Sequence, residues 1–183
     1  MDADITRVLG GVPWAMPAGL AAVLVAAVLA RPVARRTGQP PVVAWLVLAS
    51  VGVIVGLTLT PSPDYPSPPS CDLDLIGPTF RDLFTLNDRS LNVALFIPLG
   101  IAVVAIRTRS RLAWLLLAAA VAPLIELTQL FAAPLRRTCQ AIDVIDNELG
   151  LIIGIVGAAI AWWVWRRVRR AGQERADREA DAP

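Results

Sequence analysis

The chain has 183 residues, a formal net charge of +2 and a mean hydropathy of +0.60; 56% of its residues are hydrophobic and 17% charged. That charge gives no case for nucleic-acid binding, and that composition fits a helical membrane protein with short loops. Histidine is absent, which excludes Ser-His-Asp hydrolases, HExxH zinc proteases and phosphatases with a His nucleophile.

Five long apolar runs span roughly residues 13–30, 42–60, 91–106, 112–133 and 142–165. Each is near the ~20 residues that cross a ~30 Å hydrocarbon core. The expected fold is all-α: a polytopic membrane helical bundle of about five transmembrane helices. Residues 1–41 would form an N-terminal helix and a basic turn, Arg31 to Pro41. The segment before the first run carries two Asp and one Arg, and the arginine cluster follows the run, so a cleaved signal peptide is not expected. The second run carries Gly52 and Gly56, a small-xxx-small pair, and ends at Thr58-Leu-Thr-Pro61.

Residues 61–90 then form a long external loop. Its Pro/Ser-rich first part suggests extended chain. Leu73, Ile76, Phe80, Leu83 and Phe84 suggest a short amphipathic helix at the membrane interface over Leu73 to Leu86. The third and fourth runs contain Pro98 and Pro123, each expected to kink its helix. The fifth carries Gly150, Gly154 and Ala158, a smooth helix-packing ridge. Residues 166–183 form a cytoplasmic tail, expected to be disordered from Ala171 onward.

All 17 basic residues are arginine, which reflects genome composition rather than mechanism. Their placement sets topology. Clusters at Arg31, Arg35, Arg36, at Arg107, Arg109, Arg111 and at Arg166, Arg167, Arg169, Arg170 follow alternate runs. The positive-inside rule puts them in the cytoplasm, with the N-terminus outside and the C-terminus inside. Trp45, Trp114, Trp162, Trp163 and Trp165 fall at the same boundary and Trp14 at the outer one, as an interfacial aromatic belt would.

Polar residues within the runs are the candidate site. Asn92 opens the third helix. Glu126 and Gln129 share one face of the fourth, and Asp143 and Asn147 one face of the fifth. Asp146 and Glu148 lie on neighbouring faces of its first turns. At about 1.5 Å per residue, Glu126 is roughly 21 Å along the fourth run and Asn147 about 8 Å down the fifth. They would share a layer with Asn92, Gln129, Asp143 and the loop residues Arg136 and Arg137. The expected arrangement is a polar pocket in the outer leaflet. Bland alternatives stand beside it: Asp143 or Asn92 as helix caps, Gln129 as an interhelical bond, and Glu126 in a salt bridge, for example to Arg137. A carboxylate at that depth costs several kcal/mol unless paired or protonated.

Cys71 and Cys139 would both face the oxidising side. They would either form a disulfide roofing the polar layer or remain two free thiols. Their spacing is not that of a metal site, and no cofactor is expected.

The string Asn92-Val-Ala-Leu-Phe-Ile-Pro98-Leu-Gly100 resembles the N-x-x-x-F-x-P-x-G signature of the VanZ-like membrane family. Glu126-Leu-Thr-Gln129 is similar to its E-x-x-Q segment. Arg137, Asp143, Asn147, Gly150 and Gly154 match its R-x5-D-x3-N-x2-G-x3-G element, and Thr58 to Pro61 its T-x-x-P boundary. The resemblance covers about residues 45–165, within the four-helix domain assigned to 42–165. Two departures are the extra N-terminal helix and Asp146 in place of an apolar residue before Asn147. The resemblance implies a bacterial cytoplasmic-membrane protein of the cell envelope, from a family associated with glycopeptide-antibiotic resistance, notably to teicoplanin; it implies no established reaction.

The leading reading is therefore a binding protein for an envelope lipid, glycolipid or glycopeptide-type antibiotic, with Asn92, Glu126, Gln129, Arg136, Arg137, Asp143 and Asn147 as ligand contacts. The alternatives are a membrane-embedded enzyme using Glu126 as acid or base, and an assembly subunit offering the glycine ridge to a membrane protein partner.

Overall fold

In the computed structural model, residues 14–61, 70–75, 85, 87–107 and 111–180 are described. Among them, five helical stretches are long and apolar enough to cross a membrane: Met16–Thr37, Pro41–Thr58, Asp88–Ala105, Leu112–Phe131 and Ala141–Gln173. Large apolar side chains cover their outer faces, among them Leu20, Leu24, Val28, Leu117, Leu127, Phe131, Ile152 and Ile160. Hydrocarbon as solvent accounts for so much exposed Leu and Ile.

Helix α1 (Ala15–Thr37) continues through Pro32, so the basic segment expected as a turn from Arg31 is its last two turns. The chain reverses at Gly38, whose φ of 68° is the left-handed conformation that ends helices. Pro41 then begins α2 (Pro41–Thr58) at its first position, where a missing N–H costs nothing. Gly52 and Gly56 face Ala22 and Ala18 of α1, so the small-residue pair closes this hairpin.

Helix α3 (Asp88–Ala105) starts earlier than the apolar run. Asn87 caps it reciprocally with Ser90: the Ser90 N–H donates to Asn87 Oδ1, and the Asn87 N–H to Ser90 Oγ. The assigned helix passes unbroken through Pro98. The fourth span is two helices, α4 (Arg111–Ala119) and α5 (Val121–Phe131). Pro123 lacks the N–H that would reach the Ala119 carbonyl, which places the break there. Hydrogen bonds from Ala120 N–H to Leu116 O and from Leu124 N–H to Ala120 O carry the axis across. A short 3-10 turn, Ala133–Leu135, precedes α6 (Ala141–Ala180). No proline falls between Arg166 and Ala180, and α6 runs helical past the membrane boundary where an unstructured tail was expected.

The core gathers where α2, α3, α4, α5 and α6 converge: Ile54, Phe96, Leu99, Val103, Ala118, Ala122, Ile125 and Leu151. Helix α1 contributes none of these and packs on α2. The tightest pairing is α3 against α6. A Cβ on Gly150 would strike the backbone of Val93, one on Gly154 that of Ile97, and one on Gly100 that of Leu151. The glycine ridge is thus occupied within the chain by α3, rather than presented to a partner.

Two short strands, β1 (Cys71–Asp72) and β2 (Cys139–Gln140), pair in parallel. A Cys71–Cys139 disulfide joins them. It fastens the long loop to the segment leading into α6. Leu73 to Leu75 follow β1 without helical structure, and the rest of the expected interfacial helix lies outside the described residues. At the opposite end, Gln39 and Arg107 exchange two bonds, Gln39 Nε2–H to Arg107 O at 2.7 Å and Arg107 N–H to Gln39 Oε1 at 2.8 Å. These bonds join the α1–α2 turn to the end of α3, so those arginine-bearing segments share one end.

Candidate functional site

The polar residues of the spans meet at the disulfide end, mostly across helix interfaces. Asn92, in the second turn of α3, is not the helix cap. Its Nδ2–H donates to Asp143 Oδ1 at 2.8 Å, linking α3 to α6. One turn earlier on α3, Arg89 forks onto Asp146, with Nε to Oδ2 at 3.0 Å and a terminal nitrogen to Oδ1 at 3.3 Å. Asp146 is wholly buried, while the Arg89 side chain keeps 26% exposure. A buried carboxylate is tolerated because a two-point charged bond compensates its lost hydration. From sequence alone, Arg89 falls in the 61–90 loop and Asp146 has no assigned partner. The signal that locates Arg89 is the Asn87-x-x-Ser90 box, which starts α3 before it.

Glu126 on α5 is buried and accepts a bond from the Gln140 backbone N–H at 2.8 Å through Oε2. Gln140 lies beside Cys139, so the crosslinked strand pair delivers this N–H to the carboxylate. Asp143 and Arg137 lie within electrostatic range of Glu126. Its hydrogen bond is to a backbone amide, where a salt bridge to Arg137 was one alternative.

Gln129 and Arg137 act on the end of α2. The last carbonyls of a helix have no partner within it and carry the negative end of its dipole. Gln129 Nε2–H reaches Thr58 O at 2.9 Å. Arg137 reaches Thr60 O through Nε at 2.9 Å and Leu57 O through a terminal nitrogen at 3.0 Å. Thr58 and Thr60 turn their own hydroxyls back to Ile54 O and Gly56 O. The Thr58–Pro61 boundary is thus a helix end capped by groups some 70 to 80 residues further along the chain. Arg136 is exposed and adopts a φ of 50°, closing the 3-10 turn through its N–H to Ala133 O.

Asn147 is the exception to this pairing. It is 2% exposed, and its Oδ1 has no hydrogen-bond partner. The same holds for Glu148 Oε1 on the next residue. An unpaired buried acceptor oxygen costs roughly 1–3 kcal/mol, so an amide oxygen and a carboxylate oxygen left so on successive residues point to a missing donor. The layer as a whole is rich in acceptors: Glu126, Asp143, Asn147 and Glu148 offer oxygens. Both buried-side guanidiniums, Arg89 and Arg137, make bonds to the chain itself. Among the described residues, no group of His, Cys, Asp and Glu is placed to hold a metal ion.

Apart from the exposed Arg136, the residues singled out from sequence fall in three groups. Asn92, Asp143 and the added Asp146 with Arg89 join α3 to α6. Glu126, Gln129 and Arg137 join α5 and its following loop to β2 and to the end of α2. Asn147 is buried without a partner for its oxygen. Comparison with known proteins finds no match among curated proteins or solved structures. A family model described as VanZ/LLP1 matches residues 47–165, well over half of the chain. That span begins within α2 and ends within α6, and it takes in every bond just described. The chain belongs to the VanZ/LLP1 family.

Proposed function

We propose that this protein binds the polar head of an amphiphilic envelope ligand in the layer formed by Glu126, Asp143, Asn147 and Glu148, with its disulfide end facing the cell exterior. The observation that carries this reading is Asn147: an amide buried to 2% exposure whose Oδ1 meets no donor from its own chain. A ligand that donates hydrogen bonds would complete it. Hydroxyls of a sugar, an amide N–H or an ammonium have this character, whereas a phosphate oxygen does not. A glycolipid or a sugar-bearing glycopeptide antibiotic fits this chemistry. Arg137 is then a positioning residue that holds the α2 end, and the ligand contact expected for it gives way to helix capping.

Orientation is supported by the disulfide, which persists on an oxidising face, and by the arginines gathered at the other end, as on a cytoplasmic face. The bacterial cytoplasmic membrane is the setting that both features fit.

Mass spectrometry of amphiphiles co-purifying with gently extracted protein tests this reading. Wild type retains a hydroxyl- or ammonium-bearing amphiphile, and Asn147→Leu, which removes the acceptor at similar volume, loses it with the disulfide intact. Identical ligand complements in the two would refute the reading. A Glu126→Gln variant that accumulates the amphiphile, relative to wild type, would instead favour a membrane-embedded enzyme.

A further inference from the structure

The opposite end of α6 carries a second built feature that the polar layer does not use. Three arginines stack on tryptophans one turn earlier: Arg166 over Trp162 at 4.5 Å from the ring centroid, Arg167 over Trp163 at 5.0 Å and Arg169 over Trp165 at 4.3 Å. The rings are about half exposed, Trp162 at 51%, Trp163 at 57% and Trp165 at 50%. Trp162, Trp163, Arg166, Arg167 and Arg170 line a shallow cleft of ≈ 200 Å³. At about 100° per residue, these aromatic and cationic side chains sweep roughly 200° of the helix, leaving Val164 and Val168 on the other side.

Depth fixes what this surface meets. From Ala141, where α6 begins at the disulfide end, Trp162 is about 32 Å along the axis. That equals the ~30 Å hydrocarbon thickness, so the rings lie at the far interface and the guanidiniums just beyond it. A guanidinium stacked on an indole is held flat, with its N–H edge turned outward. That edge matches a phosphate in two-point geometry. Stacking also fixes the side chain in advance, which lowers the ordering cost of binding.

We propose that the Trp162–Arg170 segment is a binding site for anionic phospholipid headgroups, distinct from the polar layer at the other end of the bundle. The ligand is the lipid phosphodiester itself, engaged by Arg166, Arg167 and Arg170, with the indoles against the glycerol and upper acyl region.

The test uses the full chain in nanodiscs of phosphatidylcholine containing a minor fraction of brominated phosphatidylglycerol or brominated phosphatidylcholine, read by tryptophan quenching. Brominated phosphatidylglycerol should associate preferentially, and Arg166→Gln/Arg167→Gln/Arg170→Gln should reduce that preference by about 5-fold for each arginine removed. Arg→Lys at the same positions, which keeps charge but loses the planar fork, should recover only part of it. A matched control, Arg31→Gln/Arg35→Gln/Arg36→Gln, removes equal charge from the basic segment at the end of α1. If the control loses as much preference as the α6 variant, diffuse electrostatics explains the effect and the site is overturned. Equal quenching by the two lipids in wild type overturns it as well. Abolition of the preference by millimolar inorganic phosphate would show a free-anion site and contradict the lipid assignment.

Discussion

Replacing Arg89 by Met leaves Asp146 wholly buried beside α3 with its bidentate partner gone. Stranding one member of a buried ion pair costs about 3–5 kcal/mol. The reverse change, Asp146→Asn, leaves a guanidinium that is 26% exposed and can swing its head toward water. That change should cost only about 1–2 kcal/mol, the loss of charged hydrogen bonds. The double variant removes both charges and retains a neutral buried amide, costing about 1–3 kcal/mol. It should therefore be more stable than Arg89→Met alone, with a coupling of about 2 kcal/mol or more. The assay is reversible unfolding in mixed micelles of mild detergent and SDS, followed by circular dichroism. Equal costs for the two single changes, or additive costs in the double, would refute the pairing as the reason Asp146 tolerates burial.

Three further expectations use the same assay. Gly150→Ala should destabilise by about 1–3 kcal/mol, since its methyl meets the Val93 backbone. Gly157→Ala, with nothing within 4 Å of the added carbon, should be neutral or slightly stabilising; equal effects would contradict the close α3–α6 approach. Opening the Cys71–Cys139 disulfide, whose ends are separated by 68 positions in sequence, should cost less than the roughly 4 kcal/mol of the chain-entropy estimate. Helices that stay inserted already restrain that loop in the unfolded state, and a loss well above this value would point to direct strand contacts. Arg137→Lys should lose most of what Arg137→Ala loses, because one ammonium cannot span the Leu57 and Thr60 carbonyls as the fork does. Full rescue by Lys would favour a simple charge role.

The bundle was legible because hydrocarbon imposes a long, unambiguous signal: five apolar runs, each matched by a helical span, the fourth broken into α4 and α5. Topology put Cys71 and Cys139 on one face, and of the disulfide and free-thiol alternatives that left open, the structure has the disulfide. Equal depth put Asn92 and Asp143 in one layer, but that α3 packs on α6 and brings the two together is seen only in the structure. Other features were hidden for physical reasons. The α3 start depends on a four-residue cap outside the apolar run, so Arg89 read as a loop residue. Gln129 and Arg137 bond to backbone carbonyls, which side-chain patterns do not display. The β1–β2 ladder is two residues long on each side, too short for any alternation. The resemblance to the VanZ-like family named most of these residues without saying what each one touches. The structure reads much of that signature as one set of mutual contacts: an amide on a carboxylate, a carboxylate on a strand N–H, two side chains on a helix end, and two backbones in glycine-mediated contact.

Asn147 Oδ1, an acceptor that its own chain leaves unpaired, carries the proposed function. An experimental structure of the protein in a lipid nanodisc, at a resolution that orders bound ligands, tests it most directly. The account predicts a non-protein donor within about 3.2 Å of Asn147 Oδ1, with density continuing toward the membrane. An Asn147 amide paired on both sides by the protein's own groups, with only acyl chain or empty volume beside it, would contradict it.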